Sequence, residues 1–325
     1  MTQLAAAVEA LAARLSHVDV TLLALALALN LCNLLLRSAA WRATLTAAMP
    51  QARIRGRSVT GAYLAGTGVN AVLPARSGDV VRVVLAGRSI PGACTVSVAS
   101  SLLVETLLDA IVGAALIGWA VWSGSLPLRR LSPDAIDPRL TAGLAVLLVV
   151  GLTVVGLVRG QGQLRRLLRG LARGLAILGH PRAYLLRVAA PQALAWGFRV
   201  ASTAFLLEAF HIAGGIDAAV LALVAGSVAT LVPLTPGGFG TQQALLALLL
   251  APYASPAAAI SYGLGSQLAL TTMNVALGGT CMGVMLGTMP WRAQARLAAA
   301  QPVPAPAPAP VAATVPVAVA AAPVE

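Results

Sequence analysis

The chain has 325 residues, of which 58% are hydrophobic and 10% are charged, and its mean hydropathy is +0.86. Soluble domains carry about 25% charged residues, so this composition excludes a water-soluble globule and predicts an integral membrane protein. The formal net charge is +12, and all 22 basic residues are arginine. In a membrane protein such charge marks cytoplasmic loops and contact with anionic lipid. Nucleic acid is not an expected partner, because the arginines do not combine with aromatic residues into a platform for stacked bases.

Apolar stretches divide the chain into three regions. Residues 1–17 are expected to be an extracytoplasmic segment, and residues 18–290 to form the transmembrane domain. The tail, 291–325, is expected to be cytoplasmic and disordered, because its alternating Pro, Ala and Val residues cannot continue a helix. Five stretches approach or exceed the roughly 20 residues that a hydrocarbon core requires, namely 18–36, 93–122, 140–158, 183–212 and 256–289. The sequence therefore predicts an all-α, polytopic helix bundle with about five full spans.

Two further apolar segments, 58–88 and 218–250, are interrupted by Pro and Gly. The arginine-rich stretches 37–57 and 159–182 should both face the cytoplasm. Two predicted spans, 93–122 and 140–158, lie between these stretches and return the chain to the side from which it started. Both stretches therefore face the cytoplasm only if the remaining segment, 58–88, enters the membrane and returns on the same side. Its last arm, 77–88, gives roughly 18 Å of helix, too short for a core of ~30 Å, and the second segment ends in an equally short arm. We therefore expect two re-entrant helical hairpins, the first entering from the cytoplasm and the second from the outer side.

The two broken segments resemble each other. Each places an Ala-Gly-hydroxyl triplet, 65–67 or 225–227, ahead of a Pro-x-x-x-Gly break, 74–78 or 233–237. Discontinuous helices at corresponding positions in two halves of a membrane protein indicate a transport site at an inverted repeat. The alternative is a chance match within a chain rich in Ala and Gly.

The first break also carries a family resemblance. Residues 70–82, Asn-Ala-Val-Leu-Pro-Ala-Arg-Ser-Gly-Asp-Val-Val-Arg, resemble the N-x-x-x-P-x-R-x-G-[DE]-x-x-R signature of the flippase-like family, which includes the transmembrane domain of lysylphosphatidylglycerol synthetase. Residues 235–240, Thr-Pro-Gly-Gly-Phe-Gly, are similar to its second motif. Three early residues, Arg37, Trp41 and Arg42, fit as well, and so does an acidic pair, Glu105 and Asp109. The resemblance covers about 18–290 and implies a stand-alone transmembrane domain without the soluble aminoacyltransferase domain.

Two departures from the family pattern leave the lipid substrate open. The family often has Arg after the first acidic residue of the pair, where this chain has Thr106, and often has Glu after the glycine motif, where this chain has Gln242 and Gln243. The candidate headgroup or transport residues are polar, charged, or located at the two breaks: Asn70, Pro74, Arg76, Gly78, Asp79, Arg82, Glu105, Asp109, Pro236, Gly237, Gly238 and Gly240.

Each candidate has a functional and a structural interpretation. Arg76 and Arg82 suit bidentate phosphate binding, and two arginines against the single Asp79 would leave positive charge for a ligand. Alternatively, they form an internal salt bridge. Glu105 and Asp109 share one helical face and either pair with Arg76, Arg82 or Arg199 or take up a coupling proton. The glycines form either a tight turn or an anion-binding nest of backbone amides.

The predicted function is a lipid flippase, or a lipid-binding membrane transporter, that moves or holds the phosphate-bearing headgroup of a phospholipid or glycolipid. No enzymatic activity is expected, because the sequence has neither a soluble catalytic domain nor a catalytic motif. No cofactor is expected either, because it lacks a Walker-type nucleotide motif and its three Cys lack the spacing of metal ligands. The alternatives are a membrane-embedded scaffold or assembly subunit of cell-envelope lipid metabolism and, less favoured, a lipid-carrier transferase. A homo-oligomer or a cell-envelope enzyme partner is left open, and the expected location is the plasma membrane of a bacterium, crossed several times.

Overall fold

A computed structural model describes residues 18–73, 77–122, 173–231 and 240–288. The regular elements in these ranges are all helical, which confirms the predicted all-α class. The first four helices are α1 (Val20–Ala48), α2 (Gly56–Val72), α3 (Ser77–Ser89) and α4 (Thr95–Trp122). A 3₁₀ turn (Ala176–Gly179) leads to α5 (Pro181–Tyr184), a π-helical turn (Leu185–Ala189) and α6 (Ala190–Ala209). The remaining helices are α7 (Gly215–Leu231), α8 (Thr241–Leu249) and α9 (Pro256–Thr288).

Three of the described helices are long and apolar enough to cross a membrane: Val20–Ala48, Thr95–Trp122 and Pro256–Gly287. The predicted span 183–212 corresponds to α5, the π turn and α6 and is not among these three. The predicted span 140–158 and the predicted terminal segments 1–17 and 291–325 lie outside the described residues, so the count of five spans stays a prediction. The described residues up to 286 form one compact unit.

Helix α1 is longer than the sequence predicted. It begins at Asp19, whose carboxylate accepts the backbone N–H of Thr21 and of Leu22 at 2.8 and 3.1 Å, and it continues well past residue 36 to Ala48. The prediction that the first span ends at residue 36, with Arg37 outside it, is therefore wrong. Arg37 lies on this helix and is buried. Burial of its charge is tolerable because the guanidinium contacts carboxylates of α4.

Helices α4 and α6 both run antiparallel to α1. Near the start of α1, the backbone N–H of Asp19 donates to the carbonyl of Ala209 at 3.0 Å, at the last residue of α6. Near its other end, the indole N–H of Trp41 donates to Ser101 Oγ at 2.9 Å, in the second turn of α4. The start of α1 thus lies beside the end of α6, and the end of α1 beside the start of α4.

Helices α2 and α3 form an antiparallel hairpin on either side of residues 74–76. The backbone N–H of Gly78 donates to Asn70 Oδ1 at 2.7 Å, and Gly66 lies against Gly78 and Arg82. The loop before α2 and the turn after α3 line a common cavity, to which 49–52 and Cys94 contribute. This hairpin therefore opens at the end of the bundle where α1 ends.

Helices α7 and α8 form the second hairpin. Gly226 on α7 lies beside Gln242 on α8, and Gly214, just before α7, lies against Tyr253, just after α8. Since α6 ends beside the start of α1 and leads directly into α7, this hairpin opens at the end where α1 begins. The two hairpins therefore open at opposite ends of the bundle.

Candidate functional site

A polar cavity of about 530 Å³ lies where the inner parts of the two hairpins approach each other between the long helices. The first hairpin contributes Asn70 and Asp79, and the second contributes Gly226 and Gln242. Three buried polar atoms of lining residues have no hydrogen-bond partner among the described residues: Asn33 Oδ1, Arg82 Nε and Asn274 Oδ1. Buried polar groups are normally satisfied, so these atoms are available to water or to a ligand.

Five charged residues from three elements form one cluster in the wall of the cavity. Arg37 on α1 has its Nη2 2.9 Å from Glu105 Oε1, and the same nitrogen contacts Asp109. Arg82 on α3 reaches Glu105 Oε2 at 3.4 Å and Asp79 at 3.8 Å. Glu105 and Asp109 both lie on α4, one helical turn apart, as the sequence predicted. Within this charge cluster, two guanidinium groups face three carboxylates.

Tyr63 on α2 holds the charge cluster together. Its hydroxyl donates to Glu105 Oε1 at 2.7 Å and accepts from Arg37 Nε at 2.9 Å. Its ring lies beneath the Arg82 guanidinium, with 4.0 Å between Arg82 Cζ and the ring centroid, which adds a cation–π contact. Tyr63 therefore fixes the positions of both arginines and of the carboxylate between them.

Arg199 on α6 is a third cation of the cavity and differs from the other two. Its guanidinium lies 4.9 Å from the ring of Trp196, one turn earlier, and the indole N–H of Trp196 donates to Asp109 Oδ1 at 3.1 Å. Within the described ranges, no carboxylate lies within 4.0 Å of a nitrogen of Arg199. It therefore lines the cavity with a charge that no described ion pair neutralises.

The candidates that the sequence singled out fall into three groups. The polar and charged members on α2, α3 and α4 all line the cavity: Asn70, Asp79, Arg82, Glu105 and Asp109. The two described glycines are structural in position: Gly78 packs α3 against α2, while Gly240, with φ +83°, precedes α8 and donates its N–H to Gln243 Oε1 at 2.7 Å. Five others lie outside the described residues: Pro74, Arg76, Pro236, Gly237 and Gly238.

The charge balance around Arg82 is not the one counted from the sequence. That count set Arg76 and Arg82 against Asp79 alone, whereas Glu105 also faces Arg82. The expected pairing of Glu105 with Arg82 is present, together with two partners that the sequence argument missed, Arg37 and Tyr63. Glu208 is exposed at the end of α6.

For Arg37, the signal that could have identified it is helical spacing. Asn33, Arg37 and Trp41 recur every four residues on one face of α1, and all three are buried. A polar stripe on an otherwise apolar helix indicates a face turned to a polar interior.

The fold and the cavity define an all-α membrane protein with a charged, polar cavity between its helices. The chain matches the family described as the lysylphosphatidylglycerol synthase TM region over residues 3–278, and it belongs to that family. This agrees with the resemblance carried by the two sequence motifs and makes the chain a member of a lipid-related membrane family. No curated protein and no solved structure matches it.

Proposed function

We propose that the protein binds the headgroup of a membrane lipid in the polar cavity and moves it between leaflets, as a transporter and not as an enzyme. The observation that carries this proposal is a charged cavity between apolar helices. Charged groups within the membrane are costly, and they mark substrate or ion pathways. The cavity volume, about 530 Å³, lies within the range of small-molecule sites.

The proposed ligand is the phosphate-bearing headgroup of a phospholipid or glycolipid, with the acyl chains left in the bilayer. Arg199 is the residue best suited to the phosphate, since the charge cluster already matches its two arginines with carboxylates. Arginine binds phosphate oxygens through two parallel N–H donors, and the stacked Trp196 ring restricts its orientation. The free amide oxygens of Asn33 and Asn274 would accept hydrogen bonds from headgroup hydroxyl or amine groups.

The two hairpins supply the route in this proposal. Each would enter the membrane from its own side and return, which brings its inner end to the cavity. Irregular backbone at membrane depth is tolerated where it borders a water-filled cavity, and transporters use such broken helices at their substrate sites. The opposite openings of the two hairpins support an inverted repeat.

Reconstitution tests the proposal. Purified protein in vesicles should speed the exchange of a fluorescent phospholipid between leaflets, measured by chemical quenching of the outer leaflet. Arg199→Gln should lower the protein-dependent rate roughly tenfold or more, because a charge-assisted contact to the phosphate is lost. Arg199→Lys should retain an intermediate rate.

The matched control is Glu208→Gln, a change of one charge at an exposed position on the same helix. It should leave the rate unchanged. No exchange above protein-free vesicles would overturn the transport proposal, whereas equal rates for Arg199→Gln and the control would remove Arg199 from the headgroup site.

A further inference from the structure

A second, basic site lies away from the polar cavity, at the end of the bundle where α1 ends. Two adjoining cavities of about 450 and 550 Å³ share His180, Ala183 and Arg187. The first is closed on its other side by α1, including Arg42, and the second extends to Arg182. We call this pair of cavities the basic groove. It shares no lining residue with the polar cavity.

Among the described residues, the basic groove carries positive charge without a compensating acid. Three arginines and one histidine line it, all four are exposed, and no carboxylate is among the lining residues that the structure describes. Across the described ranges, Arg42, Arg182 and Arg187 have no carboxylate within ion-pair distance. A pocket of this kind attracts a multivalent anion and offers several N–H donors to its oxygens.

Three exposed leucines either line the same groove or lie next in sequence to residues that line it. Leu178 is 39% exposed, Leu185 is 59% exposed, and Leu186, which lines the second cavity, is 65% exposed. The π-helical turn Leu185–Ala189 places Arg187 beside these apolar side chains. Basic and apolar groups that are exposed side by side suit the boundary between headgroups and acyl chains.

We propose that the basic groove binds an anionic phospholipid of the adjacent leaflet, with the headgroup phosphate among Arg42, Arg182 and Arg187 and the acyl chains along the exposed leucines. The same phosphate chemistry exists in free inorganic phosphate, but the apolar border favours the lipid. This bound lipid is distinct from the transported one, because the two sites use different residues.

Native mass spectrometry of the detergent-solubilised full chain measures the binding. Phosphatidylglycerol should bind more tightly than phosphatidylcholine. Arg182→Gln/Arg187→Gln should weaken phosphatidylglycerol binding roughly 25-fold, since each arginine near a lipid surface contributes about fivefold. The control Arg53→Gln/Arg55→Gln removes the same charge from exposed loop positions and should change the affinity less than twofold.

Equal weakening in both double variants, or equal binding of the two lipids, would overturn the proposal by showing attraction to net charge or to lipid in general. Displacement of phosphatidylglycerol by an equimolar concentration of inorganic phosphate would identify a phosphate site and overturn the lipid assignment. Lipid exchange in phosphatidylcholine vesicles should be the same for the groove variant and wild type, so a failure of the transport proposal is distinguishable from a failure of this one.

Discussion

Arg37 shows how a single side chain links three helices. It lies on α1 and contacts two carboxylates of α4. Its Nε also donates a hydrogen bond to the Tyr63 hydroxyl of α2. Desolvation of a guanidinium is costly, and the short contacts to carboxylates offset that cost only while all partners are present. Arg37 is only 8% exposed, and the stability of this part of the bundle depends on its ion pairs as well as on its burial.

Arg37→Met should lower the free energy of unfolding by about 3–5 kcal/mol, because Glu105 loses its nearer cation and Asp109 its only guanidinium partner among the described residues. Denaturant titration of the purified protein in detergent measures this change. The control Arg53→Met alters an exposed arginine in the loop after α1 and should shift the value by less than about 0.5 kcal/mol. Similar values for the two variants would show that the ion pairs contribute little.

The sequence predicted several residues that line the cavity, but it did not predict all of the residues with which they form ion pairs and hydrogen bonds. Asn70, Asp79, Arg82, Glu105 and Asp109 stood out because polar residues on apolar helices are expensive and therefore informative. Arg37 fitted the family pattern but was not chosen as a candidate for the site, because a hydropathy window ends a span at the first charge and cannot register a carboxylate that lies 68 residues further along the chain. Such pairings depend on how helices pack, which local spacing does not encode.

At the scale of elements, the hairpin of α2 and α3 depends on close backbone approach. A Cβ atom on Gly66 would lie 2.6 Å from the carbonyl oxygen of Gly78, and one on Gly78 would collide with the carbonyl oxygen of Gly66. Small residues allow helices to approach in this way within membranes. This approach also places Asn70 within 3.1 Å of Asp79, so the packing of the hairpin sets part of the cavity wall.

Gly78→Ala should destabilise the protein by about 1–3 kcal/mol, because the two arms must separate to admit the methyl group. Gly87→Ala is the matched control on the same helix, where an added Cβ meets nothing within 4 Å. That change should be neutral or raise stability by up to about 1 kcal/mol through helix propensity. Thermal unfolding of the two variants distinguishes these outcomes, and equal melting temperatures would contradict the close approach of the arms.

For the whole molecule, the predicted pair of hairpins corresponds to two real helical hairpins, α2–α3 and α7–α8, that open at opposite ends of the bundle. Pro and Gly at fixed places predicted the breaks, and the count of arginines in loops predicted that the first hairpin returns. Neither signal specified that α1 extends to Ala48, because that extension is stabilised by contacts with α4 and not by local apolar sequence. Re-entry into the membrane remains the proposal that links these hairpins to transport.

Cysteine accessibility in oriented vesicles tests that proposal directly. Native Cys94 is exposed at the opening of the first hairpin, and the backbone N–H of Ser97 lowers the pKa of its thiol, which increases the reactive thiolate near neutral pH. In a Cys32→Ser/Cys281→Ser background, a membrane-impermeant maleimide should label Cys94 from the same side as an added Arg53→Cys. With Cys94 also changed to Ser, Asp217→Cys, exposed in the first turn of α7, should be labelled only from the opposite side. Labelling of Cys94 and Arg53→Cys from different sides would mean that α2 and α3 together cross the bilayer, and the headgroup route between opposed hairpins would then be lost.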